Sequence, residues 1–148
     1  MTDPSTTPSD VYPSLTYADA PAAIAFLCQA FGFCERLRVP GPDGSVMHSE
    51  LTLGTGVVMV SSPRSEQQRV APTSGAGASS TLSVFVSDPE AHYAQAQAAG
   101  AEIMLELTQE EYGAKGYMAR DPGGHVWYFA DYRPGAWWDG QGEQPADS

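Results

Sequence analysis

A chain of 148 residues with 42% hydrophobic side chains is long enough to bury a core without disulfide or metal support, and its length fits one domain. With 7 basic against 18 acidic side chains the formal net charge is -11, which repels nucleic-acid phosphates and anionic lipid and argues against a nucleic-acid partner. No stretch approaches the roughly 18 consecutive apolar residues of a membrane span, and the start MTDPSTTPSD has neither a basic nor an apolar signal region, so a cytoplasmic protein with no membrane partner is expected.

Residues 1–10 and 139–148 are rich in Ser, Thr, Pro, Asp, Gly and Gln and read as tails. The first strand is expected over Tyr12 to Tyr17. Asp19 then stands where an N-cap belongs, ahead of APAAIAFLCQAF, and Gly32 closes that helix. Its buried side is expected to use Ala22, Ile24, Phe26, Leu27 and Phe31. Strands over Phe33 to Val39 and Val46 to Leu53 flank the turn GPDG, and Gly54-Thr55-Gly56 leads into a strand over Val57 to Ser61. Cys28 and Cys34 are too few for a disulfide framework or a zinc cluster and read as fillers in a reduced compartment.

The stretch Pro63 to Ser80 reads as a linker. Beyond it, Thr81 to Val86 forms a strand, Asp88-Pro89 opens a helix over EAHYAQAQAA, and Gly100 ends it. Strands follow over Ile103 to Leu107, Gly116 to Arg120 and Val126 to Asp131, with DPGG at 121–124 turning the last hairpin. Both halves therefore read as strand, helix, three strands. Gly32 and Gly100 are separated by the same interval as Gly56 and Gly124, and Asp19 and Asp88 differ from it by one residue. The fold class expected is α+β, with two βαβββ modules at 12–62 and 81–132 in a single domain.

The segments LTYADAPAAIAFLCQAFGF, VFVSDPEAHYAQAQAAGAE and YGAKGYMARDPGGHVWYF, in this order, resemble the vicinal oxygen chelate superfamily of glyoxalases, bleomycin-resistance proteins and extradiol dioxygenases. The resemblance covers Val11 to Tyr132. It implies curved mixed sheets forming a cleft, and a homodimer as the usual assembly. It also implies a metal held by side chains from the first and last strands of each module. Aligned on the family's terminal motif DPxGxxxE, the segment DPGGHVWY puts Tyr128 at the carboxylate position, and the repeat puts Val60 at its counterpart. The first-strand positions fall on Tyr12 and Thr81. None is an imidazole, carboxylate or thiolate, so neither a metal nor another cofactor is expected.

Strand periodicity turns Tyr12, Ser14 and Thr16 to the cleft, with Thr81, Ser83 and Phe85 opposite, and Val58, Val60 and Tyr128 joining them. On the third strand Leu51 and Leu53 suit the core, which leaves Val46, His48, Glu50 and Thr52 on the cleft side. His48 and Glu50 are then neighbours: a general base with its orienting carboxylate, a grip for a cationic ligand, or a solvated pair. Met118 and Arg120 hold the equivalent strand of the second module, where Arg120 pairs with a carboxylate or holds an anionic ligand group. Trp127 and His125 face the core. Tyr112 and Gly113 form a loop near the cleft, and Trp137 with Trp138 reads as a core or dimer anchor or a platform for a planar ligand.

Beside the plain option of a domain that assembles with a partner protein and binds nothing small, two function classes follow. One is a metal-free binding module holding an antibiotic-like or aromatic ligand between Tyr12, Phe85, Met118, Arg120 and Tyr128. The other is a lyase, isomerase or dioxygenase of the same superfamily using His48 and Glu50 as catalytic residues.

Overall fold

A computed structural model describes residues 9–73, 77–111 and 113–134. Residues 1–8 and 139–148 of the expected tails, Tyr112, Trp137 and Trp138 lie outside the described residues. The first module runs β1 (Ser14–Thr16), α1 (Ala20–Phe31), β2 (Cys34–Pro40), β3 (Val46–Leu53) and β4 (Gly56–Ser61). The second runs β5 (Thr81–Phe85), α2 (Pro89–Ala98), β6 (Glu102–Gln109), β7 (Lys115–Arg120) and β8 (Val126–Ala130). Each module folds into one four-stranded mixed sheet, in the orders β1-β4-β3-β2 and β5-β8-β7-β6. The first and last strands of each module pair in parallel and the other neighbours antiparallel. The two modules thus share one topology in an α+β fold, and their sheets do not close on each other.

Local sequence explains the helices. Asp19 caps α1 through its side chain on the Ala22 N–H at 3.2 Å, and Gly32 ends it at φ 84°, a left-handed conformation that favours glycine. Asp88 caps α2 in the same way on Ala91. The buried stripe of α1 is Ala20, Ala23, Ile24, Leu27, Ala30 and Phe31. Ala22 instead faces solvent and Phe26 is half-buried, because a spacing of three and four selects positions 23, 27 and 30.

Each helix covers one face of its own sheet, and the helices pack on each other. A single apolar cluster joins both modules: Phe31 of α1 packs against Trp127 and Phe129 of β8, and Phe33 meets Trp127 edge-on. At the helix contact, His92 Nε2 donates to the Phe31 carbonyl at 2.8 Å, and its Nδ1 accepts from the Tyr117 hydroxyl at 2.6 Å. Those bonds fit the neutral imidazole, and burial lowers the His92 pKa.

A second junction centres on Asp121 in the β7–β8 turn, a buried carboxylate. It accepts from the Tyr17 hydroxyl, from Trp127 Nε1 at 2.9 Å and from the His125 amide at 3.0 Å. His125 Nε2 donates to the Thr16 carbonyl at 2.8 Å. Burial, and then the Asp121 charge, push the Tyr17 pKa up, so its hydroxyl stays protonated as the donor. Residues 63–80, expected as a linker, also touch both modules where they are described. Arg64 bridges to Arg69, the Arg69 guanidinium donates to Ser14 Oγ, and Pro72 lies against Gly124.

Two expectations are tested by this geometry. The unfolded imidazole binds a proton near pH 6.5, the buried His92 only at lower pH, so unfolding takes up a proton and stability falls as the pH drops below about 6.5. Thermal melts at pH 7.5 and 5.5 should show a smaller loss in His92→Gln than in wild type; an equal loss would remove His92 as the source. A Cβ on Gly123 would overlap Tyr17 Cδ1 and Cε1, so Gly123→Ala should cost about 1–3 kcal/mol in urea unfolding.

Candidate ligand site

With one face of each sheet covered by its helix, strand register decides which side chains line the other, open face. In the first sheet Ser14, Met59, Glu50 and Leu37 form one cross-strand row. The matching row of the second sheet is Ser83, Tyr128, Met118 and Leu105. His48 shares the first face, beside Val39. Phe85 shares the second, in the row next to that of Tyr128.

This register corrects three expectations. Val58 and Val60 do not lie on the open face with Tyr128: both are buried in the core, Val60 completely, and of the two only Val58 reaches a cavity wall, beside Leu15 and Leu53. The partner of Glu50 on β4 is Met59, so Met59, not Val60, is the counterpart of Tyr128. From Glu50 to its partner Met59 is 9 residues and from Met118 to its partner Tyr128 is 10, so the last hairpin of the second module carries one residue more, and a one-residue shift exchanges the faces of a strand. Val46 is also buried in the core, because Met47 is skipped where Val39 pairs with His48 and Pro40 with Val46, which inverts the alternation there.

On the first face Glu50 accepts from Arg36 at 2.7 Å and pairs with His48 Nε2 at 3.0 Å. The His48 hydrogen bond, followed by the Arg36 charge, holds the Glu50 carboxyl below its usual range. Arg36 carried no signal in the sequence, since it is the extra residue of a bulge between Glu35 and Leu37. Its counterpart Met104 occupies the same kind of bulge in β6. A cationic ligand at Glu50 therefore competes with Arg36.

The second face is apolar at its centre. A Cβ on Gly116 would lie 2.9 Å from Tyr128 Cζ and 2.7 Å from Ala130 Cβ, so the Tyr128 ring lies over a position that only glycine leaves open. Arg120 is directed elsewhere. Its Nε is 3.9 Å from the Glu102 carboxylate, and it lines a cavity of about 640 Å³ with Tyr17, Asp19 and the 121–124 turn. Tyr12 precedes β1, is exposed, and donates to the Ser9 carbonyl.

A larger groove of about 690 Å³ lies between β1 and β5, the edge strands of the two sheets among the described residues. Its walls include Leu15, Phe33, Leu53, Leu82, Val84 and Phe85, with Ser14, Thr81 and Ser83 at the open-face side. The Arg133 guanidinium stacks 3.7 Å above the Phe85 ring. Of the expected ligand contacts only Phe85 lines this groove. Met118 and Tyr128 lie on the adjoining face, while His48 and Glu50 belong to the other sheet. Arg133 and Leu53 were missed, because no periodic pattern marks a groove made by two strand edges.

The model of the glyoxalase/bleomycin resistance protein/dioxygenase superfamily matches residues 11–129. The chain belongs to this superfamily. An uncharacterized protein of Mycobacterium bovis is 34% identical over 118 residues, 78% of each chain. The crystal structure of TioX from Micromonospora sp. ML1 matches with 33% identity and a TM-score of 0.68, over 84% of this chain and 99% of that one. A mutant of the fosfomycin resistance protein FosX from Listeria monocytogenes, complexed with Mn(II) and 1S,2S-dihydroxypropylphosphonic acid, shares the fold at 12% identity. Its TM-score is 0.64, over 87% of this chain and 94% of that one.

In this superfamily member the positions to which the resemblance assigns metal ligands carry Tyr12, Thr81 and Tyr128, with Met59 as the corrected fourth. Two phenols, a hydroxyl and a thioether do not suit a divalent cation. Among the described residues no group of three or more His, Cys, Asp or Glu side chains is placed to hold one. Also among the described residues, no helix is long and apolar enough to cross a membrane. Dialysis against Mn(II), Ni(II) or Zn(II), followed by gel filtration and elemental analysis, should leave well under one ion per chain. Stoichiometric metal that a chelator removes would overturn that expectation.

Proposed function

We propose that this superfamily member is a metal-independent binding protein that takes up an aromatic, antibiotic-like small molecule in the cytoplasm. The observation that carries this reading is the groove between β1 and β5, whose volume of about 690 Å³ falls within the roughly 300–1,000 Å³ of small-molecule sites. Its apolar walls and the stacked Arg133–Phe85 pair favour a flat ligand, and Tyr128 and Met118 extend that surface.

A homodimer is part of the proposal. Leu37 and Val39 remain 40% and 39% exposed beside Glu50 and His48, and Leu105 is 38% exposed beside Met118. Apolar side chains grouped on open sheet faces favour cover by a second copy. A monomer in sedimentation at micromolar concentration would remove that part.

The second reading is a lyase, isomerase or dioxygenase, and the 3.0 Å contact of His48 with Glu50 favours it. A carboxylate on one ring nitrogen leaves the other for proton transfer. A thermal-shift screen of planar aromatics, followed by calorimetry of hits, separates the two. Phe85→Ala should weaken a hit about tenfold, equivalent to about 1.4 kcal/mol, while Glu50→Gln changes it little because Arg36 already holds that carboxylate. The reverse ranking would move the site to the His48 face and favour the enzyme.

A further inference from the structure

We infer that the molecule taken up between β1 and β5 is an aromatic carboxylate, its anionic group held by the Arg133 guanidinium and its ring by the apolar walls. The inference rests on the small-molecule reading of this groove and adds the charge of its ligand. The chain has 18 acidic side chains and a formal charge of -11. Among the described residues that line the groove, however, none is acidic, and the one charged side chain is Arg133. The groove therefore departs in sign from the molecule that contains it.

The guanidinium lies 3.7 Å above the centroid of the Phe85 ring, and among the described residues no carboxylate is in ion-pair contact with it. A guanidinium with its face on a ring keeps its N–H donors at the edge, in the fork that matches the two oxygens of a carboxylate. Phe85 thus holds the cation without using those donors. On the β1 wall, Ser14 Oγ accepts from the Arg69 guanidinium, which leaves the hydroxyl proton to be donated and puts a second cation behind it. Phe33, Leu53, Leu82 and Val84 supply apolar surface for the ring system. The acidic surface favours a cation only at long range, where salt screens it beyond about 8–10 Å, whereas a carboxylate on Arg133 is at hydrogen-bond distance. The carboxylate suited to a cation, Glu50, is held by Arg36 and does not line the groove.

The experiment is calorimetry of the full chain with three probes that share one ring system: naphthalene-2-carboxylate, its neutral primary amide and 2-naphthylmethylammonium. The carboxylate should bind about tenfold more tightly than the amide, with the ammonium weakest. Raising NaCl from about 50 to about 500 mM should narrow the gap between carboxylate and amide by weakening the carboxylate alone. Arg133 is exposed, so Arg133→Gln leaves the core untouched; it should reduce the advantage of the carboxylate to about twofold or less. The ranking of the probes and its response to salt need no variant, so they serve even if Arg133→Gln fails to fold. An amide or ammonium that binds as tightly as the carboxylate, or an advantage kept in folded Arg133→Gln, would overturn the inference. If Phe85→Ala then still weakens all three probes, the small-molecule reading of the groove stands and only the charge of its ligand was wrong. Failure of all three to bind at millimolar concentration would remove the groove reading itself and this inference with it.

Discussion

The buried carboxylate of Asp121 is the constraint on which the arrangement of the two modules depends. A charged or polar group withdrawn from water must find its hydrogen-bond partners inside the protein, and Asp121 finds them in Tyr17, Trp127 and its own turn. Tyr17 follows β1 of the first module, whereas Trp127 lies in β8 of the second. Meeting both donors at once fixes the end of β1 against the β7–β8 turn, and the His125 bond to Thr16 holds the same junction from the other side. Gly123 is required there because the Tyr17 ring lies where a side chain would be.

From that junction follows the single core. Phe31, Phe33, Trp127 and Phe129 belong to different modules but pack as one aromatic cluster, so neither module's helix-covered face ends in solvent. The cost of sharing a core is that β1 and β5 remain edges of separate sheets. The groove is the space those edges leave, and its walls mix side chains of both faces because a strand edge exposes both.

The duplication has kept its backbone and diverged in chemistry. Both modules carry the same strand order and the same bulge in the outermost strand. On the open faces, however, Glu50 with Arg36 and His48 stands in the first sheet where Met118 stands in the second. One face is therefore charged and internally neutralised, the other apolar. With Tyr12, Thr81, Met59 and Tyr128 at the implied ligand positions, those positions hold two aromatic rings and no donor suited to a Lewis acid. A superfamily defined by its fold accommodates both kinds of site, because function resides in the side chains placed on it.

The sequence by itself determined the local order of elements. Asp19 and Asp88 as helix caps, Gly32 as a left-handed stop and alternating apolar residues in the strands act over a few neighbours, so they can be read without the rest of the chain. The repeat was legible for the same reason, as were the open-face positions of His48, Glu50, Met118 and Tyr128. Only the tertiary structure decided what depends on register and on partners distant in the chain. The extra residue in the β7–β8 connection exchanged Val60 for Met59, and bulges at Arg36 and Met47 broke the alternation that parity relies on. The Asp121 junction, the Arg36–Glu50 pair and the groove all join residues whose proximity is set by packing between elements, and packing leaves no periodic trace in either segment alone.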